Sequence, residues 1–286
     1  MICGLFGKTR QAWYEHSWRQ SQDYQLTDSV VIKTVQEIRQ QMPRIGTRKL
    51  YYMLNETLEK HKIKLGRDKL FDLLDEYGLL VRRRKRRKVS TTDSDHPYRK
   101  YPNLIRELVV TRPNQLWVSN ITYISMEEEF CYLSLVTDAY SRKIVGYCLH
   151  PTLKREGPIS ALKMALRALP GVPSLTLIHH SDRGIQYCCY DYTTLLEVNG
   201  LSISMTEKGD PYENAIAERV NGILKSEFLL DQEFKDYETA YAAVGNAISV
   251  YNELRPHASV DYLTPEQAHR RQGLIQTKWK RRLIMA

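Results

Sequence analysis

The chain has 286 residues, enough for one large domain or for a small domain joined to a medium one, and its hydrophobic fraction of 42% excludes a disordered protein. Residues 1–103 carry 22 Lys and Arg against 12 Asp and Glu, whereas residues 104–286 carry 20 against 21. This uneven charge predicts a polyanion-binding front section and a separate, nearly neutral domain. A soluble protein with a charged face is the alternative that charge alone leaves open.

Sorting signals and disulfides are not expected from this sequence. Residues 1–11 are too short and too polar for the apolar core of a secretory signal peptide, and no apolar run approaches the roughly 20 residues that span a bilayer. The five cysteines are odd in number and lack the spacing of a disulfide framework. The sequence therefore predicts reduced thiols in the cytoplasm and no membrane partner.

Three short helices are predicted in the basic front section. The first covers residues 27–41 and ends at Pro43, the second is capped by Thr47, and the third runs from about residue 67 to 77 with Gly78 as its C′ glycine. Short helices joined by tight turns in a basic segment are typical of a helix-turn-helix-like DNA-binding unit, with a plain helical bundle as the alternative. Arg48 and Lys49 are the expected DNA contacts on the second helix.

A basic run follows the third helix. Seven consecutive cations repel one another and favour an extended chain unless a polyanion neutralises them. We expect phosphate contacts here, although a nuclear-localisation signal or a solvated linker has the same composition. The residues of this run are Arg82, Arg83, Arg84, Lys85, Arg86, Arg87 and Lys88. Residues 90–97 are polar and without pattern, as in an interdomain linker.

The pattern changes after residue 112. Three strands are predicted at about 116–124, 129–137 and 143–149, followed by a helix at 158–169, a strand at 175–178, a helix at 190–198 and a strand at 201–205. A helix that contains Glu218 and another at about 237–252 complete the series. A meander of strands followed by alternating helices and strands predicts a mixed α/β sheet with helices on both faces.

Two acids and one amide form the candidate catalytic set. Asp182 follows the apolar strand at 175–178, where ligands of open α/β sheets bind, and Glu218 lies on a helix 36 positions later. Asn120 lies mid-strand, where a third acid would complete the carboxylates that hold two divalent metals for phosphodiester chemistry. Asn214, Asn221 and Lys225 are predicted on the Glu218 side of its helix, with Lys225 facing a DNA phosphate.

Other polar residues have simpler interpretations. His179 and His180 precede Asp182 at the end of a buried strand, so packing or hydrogen bonding is expected rather than metal binding. Asp138 and Asp210 are rival acids in turns, where local structural roles are expected. Adjacent cysteines at 188 and 189 lack the spacing of a tetrahedral zinc site.

These motifs together resemble the OrfB-type transposases of bacterial insertion sequences, members of the acidic-triad transposase and retroviral integrase superfamily. The resemblance covers most of the chain, including the helix-turn-helix-like region, and it rests on the combination of motifs rather than on any one. The matching segments are residues 114–124 (NQLWVSNITYI), 141–147 (SRKIVGY), 178–187 (IHHSDRGIQY), 208–218 (KGDPYENAIAE), Lys225, 251–257 (YNELRPH) and 263–265 (LTP).

The resemblance implies a ribonuclease-H-like mixed sheet with flanking helices, preceded by a small all-α helix-turn-helix-like domain. It also implies Mg²⁺-dependent cleavage at the ends of the element, with Mn²⁺ able to substitute, followed by attack of the freed 3′-hydroxyl on another phosphodiester. The predicted domains are a short helical segment at 1–25, the DNA-binding domain at 26–81, a basic linker at 82–107, the catalytic core at 108–232 and a C-terminal helical extension at 233–286.

The family pattern places its three acids at positions 120, 182 and 218, and this chain departs from it at Asn120. An amide oxygen removes one negative charge and cannot bridge two cations as a carboxylate does, so we expect DNA binding with little strand cleavage. A non-catalytic DNA-binding repressor or inhibitor is the alternative, and a nuclease that cleaves without joining is a third.

The resemblance also implies partners. Double-stranded DNA is expected as both the terminal inverted repeats and the target, with a homo-multimer on paired ends. An upstream OrfA-type partner or fusion is possible in this family, and the expected location is the bacterial cytoplasm at the nucleoid.

Overall fold

The computed structural model describes residues 27–81, 95–127, 129–169, 177–207 and 214–275. These residues fall into two compact units, one within residues 1–84 and the other within residues 85–286. The helical segment predicted at 1–25 and the basic run at 82–88 lie outside the described residues, so both stay predictions, as do the five domain boundaries.

The first unit contains the three predicted helices: α1 (27–41), α2 (Thr47–Lys60) and α3 (Arg67–Glu76). Leucines four residues apart on α2 lie in its core, as their spacing predicts: Leu50, Leu54 and Leu58. The prediction that Thr47 caps α2 is wrong. Gly46 has the extended backbone of an N-cap, so Thr47 is already the first helical residue and its side chain is buried.

The second unit is built on one sheet with strand order β3-β2-β1-β4-β5. Strands β1, β2 and β3 form an antiparallel meander, while β4 pairs parallel to β1 and β5 parallel to β4. A short β6 pairs parallel with the far end of β1. The strands are β1 (Leu116–Met126), β2 (Phe130–Asp138), β3 (Ile144–His150), β4 (Ile178–Ser181), β5 (Ser202–Met205) and β6 (Glu233–Phe234).

Helices cover both faces of this sheet, as predicted. On one face, Trp117 and Ile121 pack with residues of α4 and α6; on the other, Leu116 and Val118 pack with Ala217 of α7. The helices are α4 (Glu156–Arg167), α5 (Ile185–Cys188), α6 (Tyr190–Val198), α7 (Ala215–Glu227), α8 (Tyr237–Glu253) and α9 (Pro265–His269). Within the described ranges, no helix is long and apolar enough to cross a membrane.

Strand β4 differs from its prediction. The apolar run predicted a strand at 175–178, but the strand contains Ile178, His179, His180 and Ser181, and the last three are buried. Polar residues can occupy a buried strand when their side chains are hydrogen-bonded, and the apolar pattern does not reveal those bonds. Asp182 therefore follows the strand immediately.

Close packing of β3 on α4 requires a glycine at position 146. A Cβ there would overlap the backbone oxygen of Ala161 and lie 2.9 Å from the Cβ of Ala165. We expect Gly146→Ala to lower the free energy of unfolding by about 1–3 kcal/mol, measured by urea denaturation. Gly245→Ala in α8 is the control: its Cβ would meet only the Tyr147 hydroxyl at 3.6 Å, so about 0.5–1 kcal/mol of stabilisation is expected. Equal changes in the free energy of unfolding for the two variants would contradict a steric requirement for glycine at position 146.

Candidate active site

Asn120 lies near the middle of β1, on the face that α7 covers. It follows Leu116 and Val118 on the same side of the strand and is half-buried. Its Oδ1 accepts a hydrogen bond of 2.8 Å from the backbone N–H of Ile121. The side-chain oxygen that faces the candidate site is thus a neutral amide oxygen already bonded to its own strand.

Asp182 lies beside Asn120 at the end of the neighbouring strand. Val118 of β1 pairs with His180 of β4 in parallel register, and continuing that register by two residues brings Asp182 level with Asn120. Adjacent strands are about 4.8 Å apart, so the two side chains emerge close together. The carboxylate is oriented by its Oδ1, which accepts a hydrogen bond of 3.0 Å from the Gly184 N–H.

Glu218 reaches the same place from the first turn of α7. Its backbone N–H donates to the carbonyl of Asn214, and the Asn214 side chain donates through Nδ2 to the Ser119 carbonyl at 2.9 Å. Burial, and secondarily the negative charge of Asp182, raise the pKa of the Glu218 carboxyl. The two carboxylates are therefore near enough to repel each other, and the predicted set of three residues comes together in space.

The donor set fits a divalent cation. A cation bound between two carboxylates that repel each other stabilises their ionised forms, and hard cations such as Mg²⁺ prefer carboxylate oxygens. No group of three or more His, Cys, Asp or Glu side chains suited to a metal occurs in the described part of the chain, and at this site the third position is Asn120. Asp182 and Glu218 are the side chains that could hold a metal, with the Asn120 amide as a neutral third donor.

The raised pKa of Glu218 predicts a pH dependence of stability. A carboxyl whose folded pKa lies above its unfolded value of about 4.5 contributes stability at lower pH that is lost as pH rises through the folded pKa. We expect Glu218→Gln to raise the Tm relative to the parent chain, and by an increasing margin from pH 4.5 upward. Glu238→Gln, which removes a glutamate from the first turn of α8, is the matched control. A Tm difference between Glu218→Gln and the parent chain that becomes smaller as pH rises would contradict this expectation.

Lys225, the predicted phosphate contact, lies two turns beyond Glu218 on α7. Its Nζ is 3.5 Å from the centroid of the Tyr123 ring, a cation–π contact that fixes where the ammonium lies. Arg48 is exposed and Lys49 half-buried in the first turn of α2. The DNA contacts of these three residues stay predictions, and the basic run at 82–88 is outside the described residues.

The structure confirms the packing and hydrogen-bonding roles expected of the two histidines before Asp182. His179 and His180 are fully buried and hydrogen-bonded, and burial lowers the pKa of His179 to about 3, so its ring is neutral. Buried Asp138 accepts from the backbone N–H of Ser141 within its turn and from that of Asn114, 24 residues away, so its role is structural and extends beyond the turn. Asp210 lies outside the described residues. Cys188 and Cys189 are buried free thiols, and burial raises the pKa of each.

Two asparagines predicted on the Glu218 side of the helix, Asn214 and Asn221, are buried in the structure. Asn221 lies within α7, and Asn214 directly precedes it. Asn214 bonds to β1. Its position four residues before Glu218 was the only sequence signal for this role, and helical spacing cannot show which strand it contacts.

Comparisons with known proteins agree on one family. Two models of the integrase core domain match residues 110–211 and 199–265. A protein of insertion element IS600 from Shigella sonnei, described as an uncharacterized 31 kDa protein, is 34% identical over 268 residues, covering 92% of this chain and 96% of that protein. Transposase InsF for insertion sequence IS3A from Escherichia coli (strain K12) is 30% identical over 285 residues, covering 93% of this chain and 92% of the relative.

A further relative and a solved structure extend this result. The transposase for insertion sequence element IS629 from Shigella sonnei is 31% identical over 245 residues, covering 85% of this chain and 80% of that protein. A chain of the simian T-cell lymphotropic virus intasome, solved in complex with PP2A regulatory subunit B56 gamma, is similar at a TM-score of 0.50 and 17% identity, covering 85% of this chain and 77% of that one.

The structural likeness bears on the fold alone, and it confirms the predicted ribonuclease-H-like mixed sheet with flanking helices. The sequence relatives bear on the family, because their identity extends over nearly the whole chain. The chain therefore belongs to the insertion-sequence transposases of the acidic-triad transposase and retroviral integrase superfamily.

Proposed function

We propose that the chain is built to bind the ends of an insertion sequence and to catalyse metal-dependent strand cleavage and strand transfer, with Asn120 leaving it nearly inactive as written. The proposal is supported by the β1–β4 register, which brings Asp182 level with Asn120, and by the charge of Asp182, which helps to raise the pKa of the Glu218 carboxyl. Ligands of open α/β sheets bind at the carboxyl ends of the strands, where strand ends leave a crevice.

Each side chain has a distinct role in this proposal. Asp182 and Glu218 are the ligands for Mg²⁺ or Mn²⁺, and the repulsion between them favours cation binding. When bound, a pair of such metals would activate the attacking oxygen and stabilise the leaving oxygen of a phosphodiester. Asn120 supplies a neutral oxygen already bonded to the Ile121 N–H, so it adds no charge to the site.

DNA binding is assigned to cations in both units. Arg48 and Lys49 on α2 and the basic run at 82–88 would contact phosphates of the terminal repeats, while Lys225 would contact a phosphate near the site. Each neutralised phosphate releases counterions, so binding should weaken steeply with salt. The chain would act as a homo-multimer on paired ends in the bacterial cytoplasm at the nucleoid, with or without an upstream OrfA-type partner.

A non-catalytic repressor is the second candidate, and Asn120 is the observation that favours it. Its amide oxygen accepts from the Ile121 N–H and carries no charge, so this position brings no carboxylate that a cation would have to neutralise. A chain of this kind would occupy element ends and compete with an active relative.

Product analysis separates the candidates. The Asn120→Asp chain would be incubated with labelled element-end DNA, a target plasmid and Mg²⁺, and its products resolved by electrophoresis. Joined products support a transposase, and nicks without joined products indicate a nuclease. DNA binding with neither product would reject the proposed catalysis and favour the repressor.

A further inference from the structure

A buried polar cluster links the two strands that carry the candidate site. His179 of β4 and Ser119 of β1 are both essentially inaccessible to solvent. The Ser119 hydroxyl lies 2.8 Å from His179 Nε2, and the Tyr192 hydroxyl of α6 lies 2.9 Å from the same nitrogen. Two hydroxyls from different elements therefore meet one imidazole nitrogen, which fixes β1, β4 and α6 relative to one another.

Asn214 extends the same cluster to α7. It directly precedes this helix, is buried, and donates through Nδ2 to the Ser119 carbonyl at 2.9 Å. The Asn214 side chain makes no capping bond to its own helix. Its hydrogen bond therefore serves to fasten α7 to β1 rather than to start the helix.

The members of this cluster lie next to the candidate catalytic residues in the chain. Ser119 precedes Asn120, His179 lies three residues before Asp182, and Asn214 lies four residues, or about one helical turn, before Glu218. Each of the three elements that carry the site is thus held by a residue within four positions of its site residue. A small shift of any element would carry its site residue with it.

We propose that Ser119, His179, Tyr192 and Asn214 form a site clamp, a set of positioning residues that fixes residues 120, 182 and 218 in a metal-binding geometry. The inference rests on the proposed function, because it assigns those three residues as the site. It also gives a physical role to the histidine that precedes Asp182 and to the asparagine that precedes α7.

A second buried histidine in the same strand provides a comparison. His180 Nδ1 lies 2.8 Å from the Ser204 hydroxyl, and both residues are fully buried. This pair joins β4 to β5, and β5 carries none of the three site residues. Ser119 and Ser204 are thus buried serines that each contact a histidine of β4, but only Ser119 joins two of the elements that carry the site, β1 and β4.

The test uses the full chain with Asn120→Asp and adds Ser119→Ala, Asn214→Ala or Ser204→Ala. Mn²⁺ affinity is measured by electron paramagnetic resonance, cleavage by kcat and by KM for DNA, and folding by Tm. We expect Ser119→Ala and Asn214→Ala to weaken Mn²⁺ binding by about 10- to 100-fold, as loss of supporting hydrogen bonds does in metal sites. Their kcat should fall while KM for DNA changes by less than about twofold. Ser204→Ala and Ser119→Ala should lower Tm by similar amounts. Ser204→Ala should leave Mn²⁺ affinity unchanged.

Several results would overturn the clamp. Equal losses of Mn²⁺ affinity in Ser119→Ala and Ser204→Ala would show that buried packing alone matters. Unchanged affinity in both Ser119→Ala and Asn214→Ala, or no Mn²⁺ binding by the Asn120→Asp parent, would also reject it. Failure of the parent to cleave DNA while it binds Mn²⁺ would reject the proposed function instead, and the affinity comparison would still decide the clamp.

Discussion

Replacing Asn120 with aspartate is expected to raise the rate of element-end cleavage by at least about 100-fold in Mg²⁺, because metal stabilisation of the transition state supplies several kcal/mol and each 1.36 kcal/mol is tenfold in rate. The change adds one negative charge beside Asp182 and Glu218 without altering side-chain size. The carboxylate can bridge two cations, whereas the amide oxygen of Asn120 is neutral and bonded to the Ile121 N–H.

The control for this prediction is Asn120→Ala, which removes the amide without adding a carboxylate. It should cleave no faster than the chain as written, since the gain depends on charge rather than on loss of the amide. In the Asn120→Asp chain, Asp182→Asn or Glu218→Gln should return the rate to the level of the unmodified chain. Comparable cleavage by the Asn120 and Asn120→Asp chains in gel assays of labelled element ends would contradict the charge argument.

Local patterns predicted those features of the fold that depend on local physics. Alternation along β1 predicted the two faces that Trp117 and Val118 occupy, because side chains of a strand point alternately to its two sides. Helical spacing predicted the three helices of the first unit, and Gly78 has the positive φ of a C′ glycine. The meeting of residues 120, 182 and 218 required the family resemblance, since no local pattern relates positions so far apart.

The parts that the sequence did not predict depend on contacts between distant residues. Ser119 and His179 are 60 positions apart, and their hydrogen bond exists only because β4 pairs with β1. The contact of Lys225 with the Tyr123 ring and the burial of Asn221 likewise depend on how α7 packs. In a sequence, polar residues that are buried and hydrogen-bonded cannot be told from surface residues. The apolar pattern therefore predicts strand β4 about three residues too close to the N-terminus.

A second large effect is expected at the C-terminal end of α7. Arg255, whose side chain is only 1% exposed, donates from Nε and from a terminal nitrogen to the two carboxylate oxygens of Glu227, at 2.8 and 2.9 Å. Such a bidentate pair is strong and directional, and a charge that loses its partner in this setting is costly. The pair fastens the helix that carries Glu218 to the segment that follows α8.

Residues at the end of α8 and in α9 hold the turn between β2 and β3. The Tyr251 hydroxyl donates to the Arg142 carbonyl at 3.0 Å, and Lys143 forms an ion pair of 2.6 Å with Glu266. Asn252 exchanges hydrogen bonds with both backbone groups of Ile144. The 251–257 and 141–147 motifs thus contact each other, and these hydrogen bonds stabilise the fold next to the candidate site.

We expect Arg255→Ala to lower the free energy of unfolding by about 3–5 kcal/mol, because it removes the bidentate cation that balances the buried Glu227 carboxylate. Lys143→Ala breaks an ion pair whose side chains are 25% and 29% exposed and leaves Glu266 paired with Arg270, so it should cost less, about 1 kcal/mol. Urea denaturation followed by far-ultraviolet circular dichroism measures both changes.

A double replacement tests why Arg255→Ala is expected to lose stability. If the loss in Arg255→Ala comes from a buried charge that has lost its counter-charge, then Arg255→Met combined with Glu227→Leu should recover most of the stability, since a packed apolar pair is often as stable as a buried ion pair. If the double variant is as unstable as Arg255→Ala, the shape of the ion pair rather than its charge balance supports α7. In the first case the double variant should also keep Glu218 in place, so Mn²⁺ affinity in the Asn120→Asp chain should survive the loss of both charges.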